Sequence, residues 1–93
     1  MQGMKFDSDK PRYDLLPLKS LEDYVKVLTH GAKKYEDWNW KIVVKEKPRK
    51  YYAAALRHIF AWARGEELDE ESGLPHLAHA MCCLAFLLEG GEE

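Results

Sequence analysis

The residues best suited to chemistry lie close together in the second half of the chain. His58, His76 and His79, three of the four histidines, fall in one short stretch together with a run of acidic residues. Neutral imidazole nitrogens and carboxylate oxygens are common protein ligands of divalent transition metals. The stretch therefore indicates a site for a divalent metal ion, provided that the surrounding elements bring the three imidazoles together.

The spacing of the histidines predicts how they could meet. His76 and His79 are three residues apart at the start of an apolar helix, so their side chains project on the same side. His58 lies on the preceding helix, and an antiparallel hairpin across residues 64–74 would let it face the other two. The alternative is structural, because a buried imidazole needs a polar partner with or without a metal. We assign His30, at the end of the first helix, a structural role.

Three acidic residues, Asp69, Glu70 and Glu71, precede the last helix. Acids at this position favour helix initiation through the helix dipole, which is a purely structural explanation. Beside the histidines they would instead complete a coordination shell, or position and deprotonate an attacking water. We predict that Asp69 or Glu71 has this catalytic role, and that Arg57 holds a phosphate or pairs with one of the acids.

Composition limits the kinds of protein that this chain can be. It has 93 residues, 46% of them hydrophobic, which predicts one domain over residues 1–93 with a small core. The formal charge of −2, with scattered basic residues, argues against binding of duplex nucleic acid. No apolar run is long enough to span a membrane, and the N-terminus has no signal-peptide core, so we expect no membrane partner and a cytoplasmic location.

The spacing of the apolar residues predicts an all-α fold with three main helices. The third helix is apolar on most sides, so we expect a second subunit to cover it in a homodimer or homotetramer. Cys82 and Cys83, adjacent on this helix, point apart and are expected to be free thiols in the core. The predicted bounds are Ser20 (the N-cap) to about Lys34, Pro48 to Gly65, and Pro75 to Leu88.

Two segments outside these helices receive different predictions. Residues 4–18 carry two prolines and no helical period, which predicts an ordered, extended arm. Residues 41–47 could form a short strand, but a mobile connection fits them better. The apolar side chains expected to pin the arm to the core are Phe6, Tyr13, Leu15 and Leu16.

Basic and aromatic residues of the first half are candidates for binding an anionic ligand that contains a ring. Lys10 and Arg12 flank Pro11, whose ring restricts the backbone and would present the two cations in a fixed relation. Residues 35–40 place three aromatic rings and an amide in a predicted loop, where large rings need a packing or stacking partner. A nucleobase is one such partner, and the protein core is the other.

With these features, the chain resembles the dATP/dGTP diphosphohydrolase N-terminal domain family, which is widespread in bacteriophages. The resemblance extends over nearly the whole chain as an ordered set of short blocks. The blocks are Lys5-Phe6-Asp7, Lys10 to Pro17, Gly31 to Tyr35, Asn39-Trp40, Arg57-His58, Asp69 to Gly73 and His76 to His79.

The resemblance implies a relation to the all-α MazG-like pyrophosphohydrolases, which cleave a dNTP to dNMP and pyrophosphate. It also implies a dimer or tetramer, and Mg²⁺ or Mn²⁺ held by Glu-x-x-Glu and Glu-x-x-Asp patterns on two adjacent helices. This chain departs from those patterns, since His76-Leu77-Ala78-His79 stands in place of Glu-x-x-Asp and Arg57-His58 falls near the other. Imidazoles favour Mn²⁺, Zn²⁺ or Co²⁺ over Mg²⁺, so the identity of the metal stays open.

These observations leave two functions open. The first is metal-dependent hydrolysis of a dNTP, with purines favoured, in the cytosol of a bacterium or a phage-infected host. The second is a non-catalytic helical module that binds a nucleotide or a protein, with the histidines as polar core residues. For the enzyme, we expect the metal at His58, His76 and His79, phosphate contacts from Lys10, Arg12, Lys34 and Arg57, and base or sugar contacts from Tyr35, Asn39 and Trp40.

Overall fold

The computed structural model of the protein describes residues 9–90, and every regular element in that range is helical. The prediction of an all-α fold is therefore confirmed. None of the described helices is both long and apolar enough to cross a membrane. The elements are the 3₁₀ turn Tyr13–Leu15, α1 (Leu18–Lys34), α2 (Asn39–Glu46), α3 (Pro48–Ala63) and α4 (His76–Gly90).

The helices α3 and α4 form the predicted antiparallel hairpin. His58, in the second half of α3, contacts His76 at the start of α4, whereas Tyr51, near the start of α3, packs on Phe86 near the end of α4. This order of contacts requires the two helices to run in opposite directions. Gly65 follows the end of α3 at a φ of 98°, a left-handed conformation that glycine adopts without strain.

Backbone hydrogen bonds fix the acidic loop, residues 64–75, which joins these two helices. The N–H of Asp69 donates to the carbonyl of Leu74 at 2.8 Å, and the N–H of Gly73 donates to the carbonyl of Asp69 at 2.8 Å. The N–H of His76 donates to the carbonyl of Glu67 at 2.9 Å. The loop therefore folds back on itself and holds Asp69 beside the first turn of α4.

The helix α1 packs against α4 through a small apolar core. Val27 of α1 is buried with Ala78 and Cys82 of α4, and the Cys82 thiol lies 3.5 Å from the Tyr24 carbonyl, to which it donates. Burial raises the pKa of Cys82 to about 12 and that of Cys83 to about 11, so both thiols stay protonated at neutral pH. The prediction of two free thiols in the core is confirmed.

The predictions for residues 41–47 are wrong, because most of this segment belongs to the helix α2. Three main helices are thus joined by a fourth, shorter one. Trp40 and Val43 are half-buried and Val44 is 6% exposed, a spacing that gives α2 one apolar face. Trp40 stacks on Phe86 with ring centroids 4.7 Å apart and planes at 10°. Packing on α4 therefore selects a helix for a sequence whose β-branched residues suggest a strand.

The N-terminal arm is not pinned to the core in the part that the structure describes. Residues 9–17 are exposed throughout, including Tyr13 at 77% and Leu15 at 67%, and Phe6 lies outside the described residues. Ser20 is not the N-cap of α1, which begins at Leu18 directly after a proline. A proline suits that position because the first residues of a helix need no N–H donor.

Replacing Gly90 by Ala is expected to lower the free energy of unfolding by about 1–3 kcal/mol. The added methyl group would lie 2.7 Å from Cγ2 of Val44, so α2 and α4 would have to move apart. Gly31→Ala is the matched control, since nothing lies within 4 Å of its added methyl group inside α1. It should raise stability by roughly 0.5–1 kcal/mol. Chemical denaturation measures both, and equal responses would contradict the packing of α2 on α4.

Candidate active site

His58 and His76 meet where α3 passes the first turn of α4. Their Nδ1 atoms are 2.8 Å apart. Asp69 joins them from the acidic loop, and the ligand atoms offered by the three residues all lie within 4.8 Å of one another. His76 is buried, while His58 and Asp69 are half-buried. Within residues 9–90, this group has the composition and spacing that suit a divalent cation.

At neutral pH the cluster combines an uncharged imidazole with an ionised carboxylate. Burial, together with the nearness of His79 and His76, lowers the pKa of His58 to about 4. Burial opposes ionisation of Asp69, but hydrogen bonds from Ser72 hold the pKa of this carboxyl below its ordinary value. Neutral imidazole and carboxylate are the forms in which these side chains bind metals.

His79 lies beside the pair in a different environment. Its ring stacks on His58, with centroids 4.5 Å apart and planes at 13°. Its Nε2 is 2.7 Å from the Ser72 hydroxyl oxygen, which also accepts a backbone N–H of the loop at 3.1 Å. This hydrogen bond ties the His79 ring to the acidic loop. The structure groups Asp69, rather than His79, with His58 and His76.

Glu71 is held by residues of α1. Its Oε2 lies 2.6 Å from Nζ of Lys34 and 3.7 Å from Nε2 of His30. The Lys34 ammonium lowers the pKa of the Glu71 carboxyl, so the group is ionised at neutral pH. His30 also lies edge-on to His79, with ring centroids 6.4 Å apart. His30, to which we assigned a structural role from the sequence, thus contacts two residues of the candidate site.

A cavity of about 690 Å³ opens beside these residues, between the four helices and the acidic loop. This volume suits a small-molecule ligand. His58, Asp69, Glu71 and His79 all contribute to its lining. The predicted substrate contacts that also line it are Lys34, Tyr35, Asn39, Trp40 and Arg57.

Lys10 and Arg12, the other predicted phosphate contacts, are not among the residues that line this cavity. Arg12 instead forms two hydrogen bonds with Asp14, of 2.8 and 2.7 Å. This local pair engages the guanidinium on the exposed arm. Lys10 is likewise exposed.

Ser72 is a site residue that the sequence reasoning missed. Its backbone N–H donates to the Asp69 carboxylate at 2.9 Å, and its hydroxyl bonds His79. One serine thus orients both a candidate metal ligand and the ring that stacks on His58. An Asp followed three residues later by Ser is a spacing at which side chains cap a turn, and it could have signalled this role.

The stability of the metal-free protein is expected to fall as the pH is lowered from about 6.5 to about 4. Folded His58 resists protonation until the lower value, whereas the unfolded chain takes up the proton near the upper one, so protons favour unfolding across this window. Denaturation at a series of pH values with a chelator present measures the slope. His58→Gln should reduce it, and an unchanged slope would contradict the burial of a neutral His58.

The chain matches the family described as "dATP/dGTP diphosphohydrolase, N-terminal" over residues 1–92. A protein of Salmonella phage PMBT28 named "dATP/dGTP diphosphohydrolase" is 33% identical over 87 residues. This alignment covers 94% of the present chain but 29% of the relative, so the chain corresponds to only part of the phage protein. No solved structure gives a significant match. Because the family match extends along almost its entire length, the chain belongs to the family of dATP/dGTP diphosphohydrolase N-terminal domains.

Proposed function

We propose that the protein is a metal-dependent diphosphohydrolase, acting in the cytosol, that cleaves a purine deoxynucleoside triphosphate to its monophosphate and pyrophosphate. One observation carries the proposal: His58, Asp69 and His76 converge next to a cavity of about 690 Å³. The name of the phage relative supports the substrate class. The implied relation to MazG-like enzymes supports cleavage between the α- and β-phosphates.

The donor set of the cluster fits a divalent transition metal. His58 and His76 would each contribute a nitrogen and Asp69 an oxygen, a mixture that suits Mn²⁺, Zn²⁺ or Co²⁺ better than Mg²⁺. A bound ion would supply positive charge that stabilises the phosphate oxygens during cleavage. Side chains of the cavity would bind the triphosphate and orient the attacking water.

Basic side chains of the cavity would bind the triphosphate. Arg57 is exposed, lines the cavity and precedes His58 on α3. Its guanidinium can pair with two phosphate oxygens at once. Lys34 lines the same cavity, although its ammonium contacts Glu71 at 2.6 Å. A phosphate group that replaces Glu71 as the partner of Lys34 would therefore free a carboxylate inside the site.

Glu71 is then the carboxylate that we expect to orient the attacking water and accept its proton. Asp69 is less suited, since it is one of the three candidate metal ligands and accepts a hydrogen bond from Ser72. A carboxyl group released from Lys34 is still ionised at neutral pH, so Glu71 would remain in the basic form.

A non-catalytic module that binds a nucleotide or a protein is the second candidate function. The separation of 2.8 Å between the Nδ1 atoms of His58 and His76 favours it, because one imidazole can donate a hydrogen bond to the other without any metal. The two functions differ in a simple respect. Only the enzyme requires a stoichiometric metal ion and a loss of stability on chelation.

We also propose that the protein self-associates through α4. Leu77, Met81, Leu84 and Leu88 follow helical spacing along this helix, and their exposures range from 38% to 76%. Among residues 9–90 no large side chain is fully buried, so the core of one subunit is incomplete. An apolar stripe on a helix with no charged residue from His76 to Leu88 would be covered in a homodimer or homotetramer.

Replacing His58 by Ala is expected to abolish stoichiometric metal binding and to reduce pyrophosphate release from dATP or dGTP by about 100-fold or more. The variant loses one of two nitrogen donors, and the remaining two ligands cannot retain the ion. Elemental analysis and a pyrophosphate assay with Mn²⁺, Co²⁺, Zn²⁺ or Mg²⁺ measure the two effects. Retention of a full equivalent of metal would refute the assignment of His58.

Two further variants give this experiment its controls. His79→Ala should keep the metal but lose roughly 10- to 100-fold in activity, since His79 orients the ring of a ligand without joining the group. Glu70→Gln changes an exposed acid of the same loop and should leave metal content and activity unchanged. Absence of turnover by the parent protein with every metal would remove the enzyme and leave the binding module.

Leu84→Glu is expected to convert the oligomer to a monomer, because a charge would be buried in the apolar contact. Leu18→Glu is the matched control, since Leu18 is 73% exposed at the start of α1 and lies outside the stripe. Light scattering after size-exclusion chromatography gives the mass of each variant. A monomeric parent protein, or an oligomer that persists in the Leu84 variant, would count against this interface.

A further inference from the structure

Trp38 combines an exposed ring with an unusual backbone. It lies at the N-terminal boundary of α2 with φ 64° and ψ 12°. Within residues 9–90 it is the one non-glycine residue with a positive φ. A bulky side chain is disfavoured in this left-handed region, and such strain tends to occur where a structure serves a ligand. The ring remains 64% exposed, so core packing does not account for its position.

The neighbouring tryptophan is already engaged by the core. Trp40 stacks on Phe86 at 4.7 Å, and Phe86 in turn contacts Tyr51 at 4.9 Å. Trp38 lies 6.2 Å from Trp40 at the outer end of this group of rings, and it lines the cavity together with Asn39. Trp38 is therefore the most exposed aromatic residue of 35–40, and it lines the cavity.

Lys41 and Asn39 are polar neighbours of Trp38 in the chain. Nζ of Lys41 lies 4.6 Å from the centroid of the ring, a cation–π contact that holds the indole and places positive charge beside it. Asn39 follows in the chain, and its amide can both donate to and accept from the edge of a base. A stacked ring next to an amide is an arrangement that can bind a nucleobase.

This aromatic group and the candidate metal ligands His58, Asp69 and His76 lie at different positions along α4. His58 contacts His76 at the start of α4, whereas Trp40 stacks on Phe86, ten residues further along the helix. Ten helical residues span about 15 Å. A ligand that reaches from one group to the other must be elongated, with an anionic end near the histidines and a flat ring near Trp38.

We propose that Trp38 is the stacking platform for the purine base of the nucleotide and thereby determines selectivity for nucleotides over simple polyphosphates. This inference rests on the proposed function for the identity of the ligand. Trp40, which the sequence suggests as a base contact, supports Trp38 from the core side. A purine presents a larger face to the indole than a pyrimidine does, so stacking here favours dATP and dGTP.

Binding of two probes to the Mn²⁺-loaded protein tests this role. The probes are the α,β-methylene analogue of dATP, which has a base, and inorganic tripolyphosphate, which has none. Trp38→Gly should weaken the analogue about 5- to 150-fold, the range expected for loss of one stacked base, and leave tripolyphosphate binding within about twofold. Trp38→Phe keeps a ring and should lie between the parent and the glycine variant. Isothermal titration calorimetry measures all of these affinities.

The glycine variant also separates function from structure. Glycine adopts a positive φ without strain, so Trp38→Gly should unfold at the same or a higher temperature while losing affinity for the analogue. Trp62→Ala is the matched control, since Trp62 is 50% exposed on α3 and does not line this cavity. It should bind both probes as the parent does.

Two results would overturn the inference, and they differ in what else they remove. Unchanged affinity of Trp38→Gly for the analogue, or an equal loss for both probes, removes the stacking role but leaves the proposed function intact. If the parent protein binds neither probe, the proposed function is removed and the stacking role with it.

Discussion

The close approach of α3 and α4 is the constraint on which the rest of the structure depends. The residues buried most completely on these helices are small: Ala55, Ala61, Ala80 and Cys83, together with Ala78 and Cys82, which pack against α1. Small residues let helix backbones pack closely, and closeness is what allows imidazoles on different helices to approach within 2.8 Å. Larger side chains along this contact would push the helices apart and separate His58 from His76. The candidate metal group is thus a consequence of how the hairpin packs.

The acidic loop completes the site through electrostatics as well as shape. Neutral imidazoles would not attract a cation strongly, and the ionised Asp69 supplies the charge that they lack. Ser72 keeps that carboxylate ionised and at the same time orients His79 against His58. Glu71 is balanced by Lys34 on α1, so the loop holds two carboxylates in different environments. This difference is what permits different roles for two acids that are only two residues apart.

The sequence was sufficient for the features that depend on local pattern. Helical spacing and the glycine after α3 predict the hairpin, and the hairpin brings His58 to His76. Features that depend on contacts between distant residues were not predictable in this way. The helical state of α2 is selected by Phe86 and Gly90 of α4, which a reading of residues 41–47 alone does not include. The place of Asp69 beside His58 and His76 likewise depends on backbone hydrogen bonds that fold the loop back.

The distribution of apolar side chains links the packing of the helices to the candidate site. A helix pair held together by alanines and cysteines buries little apolar area, and the polar cluster between the helices reduces that area further. The leucines of α4 are consequently left at the surface, where contact with another subunit can bury them. The small residues that let the histidines meet therefore leave apolar side chains of α4 exposed, which supports the self-association that we propose. A histidine site inside the helix pair and an apolar stripe outside it are two results of one packing solution.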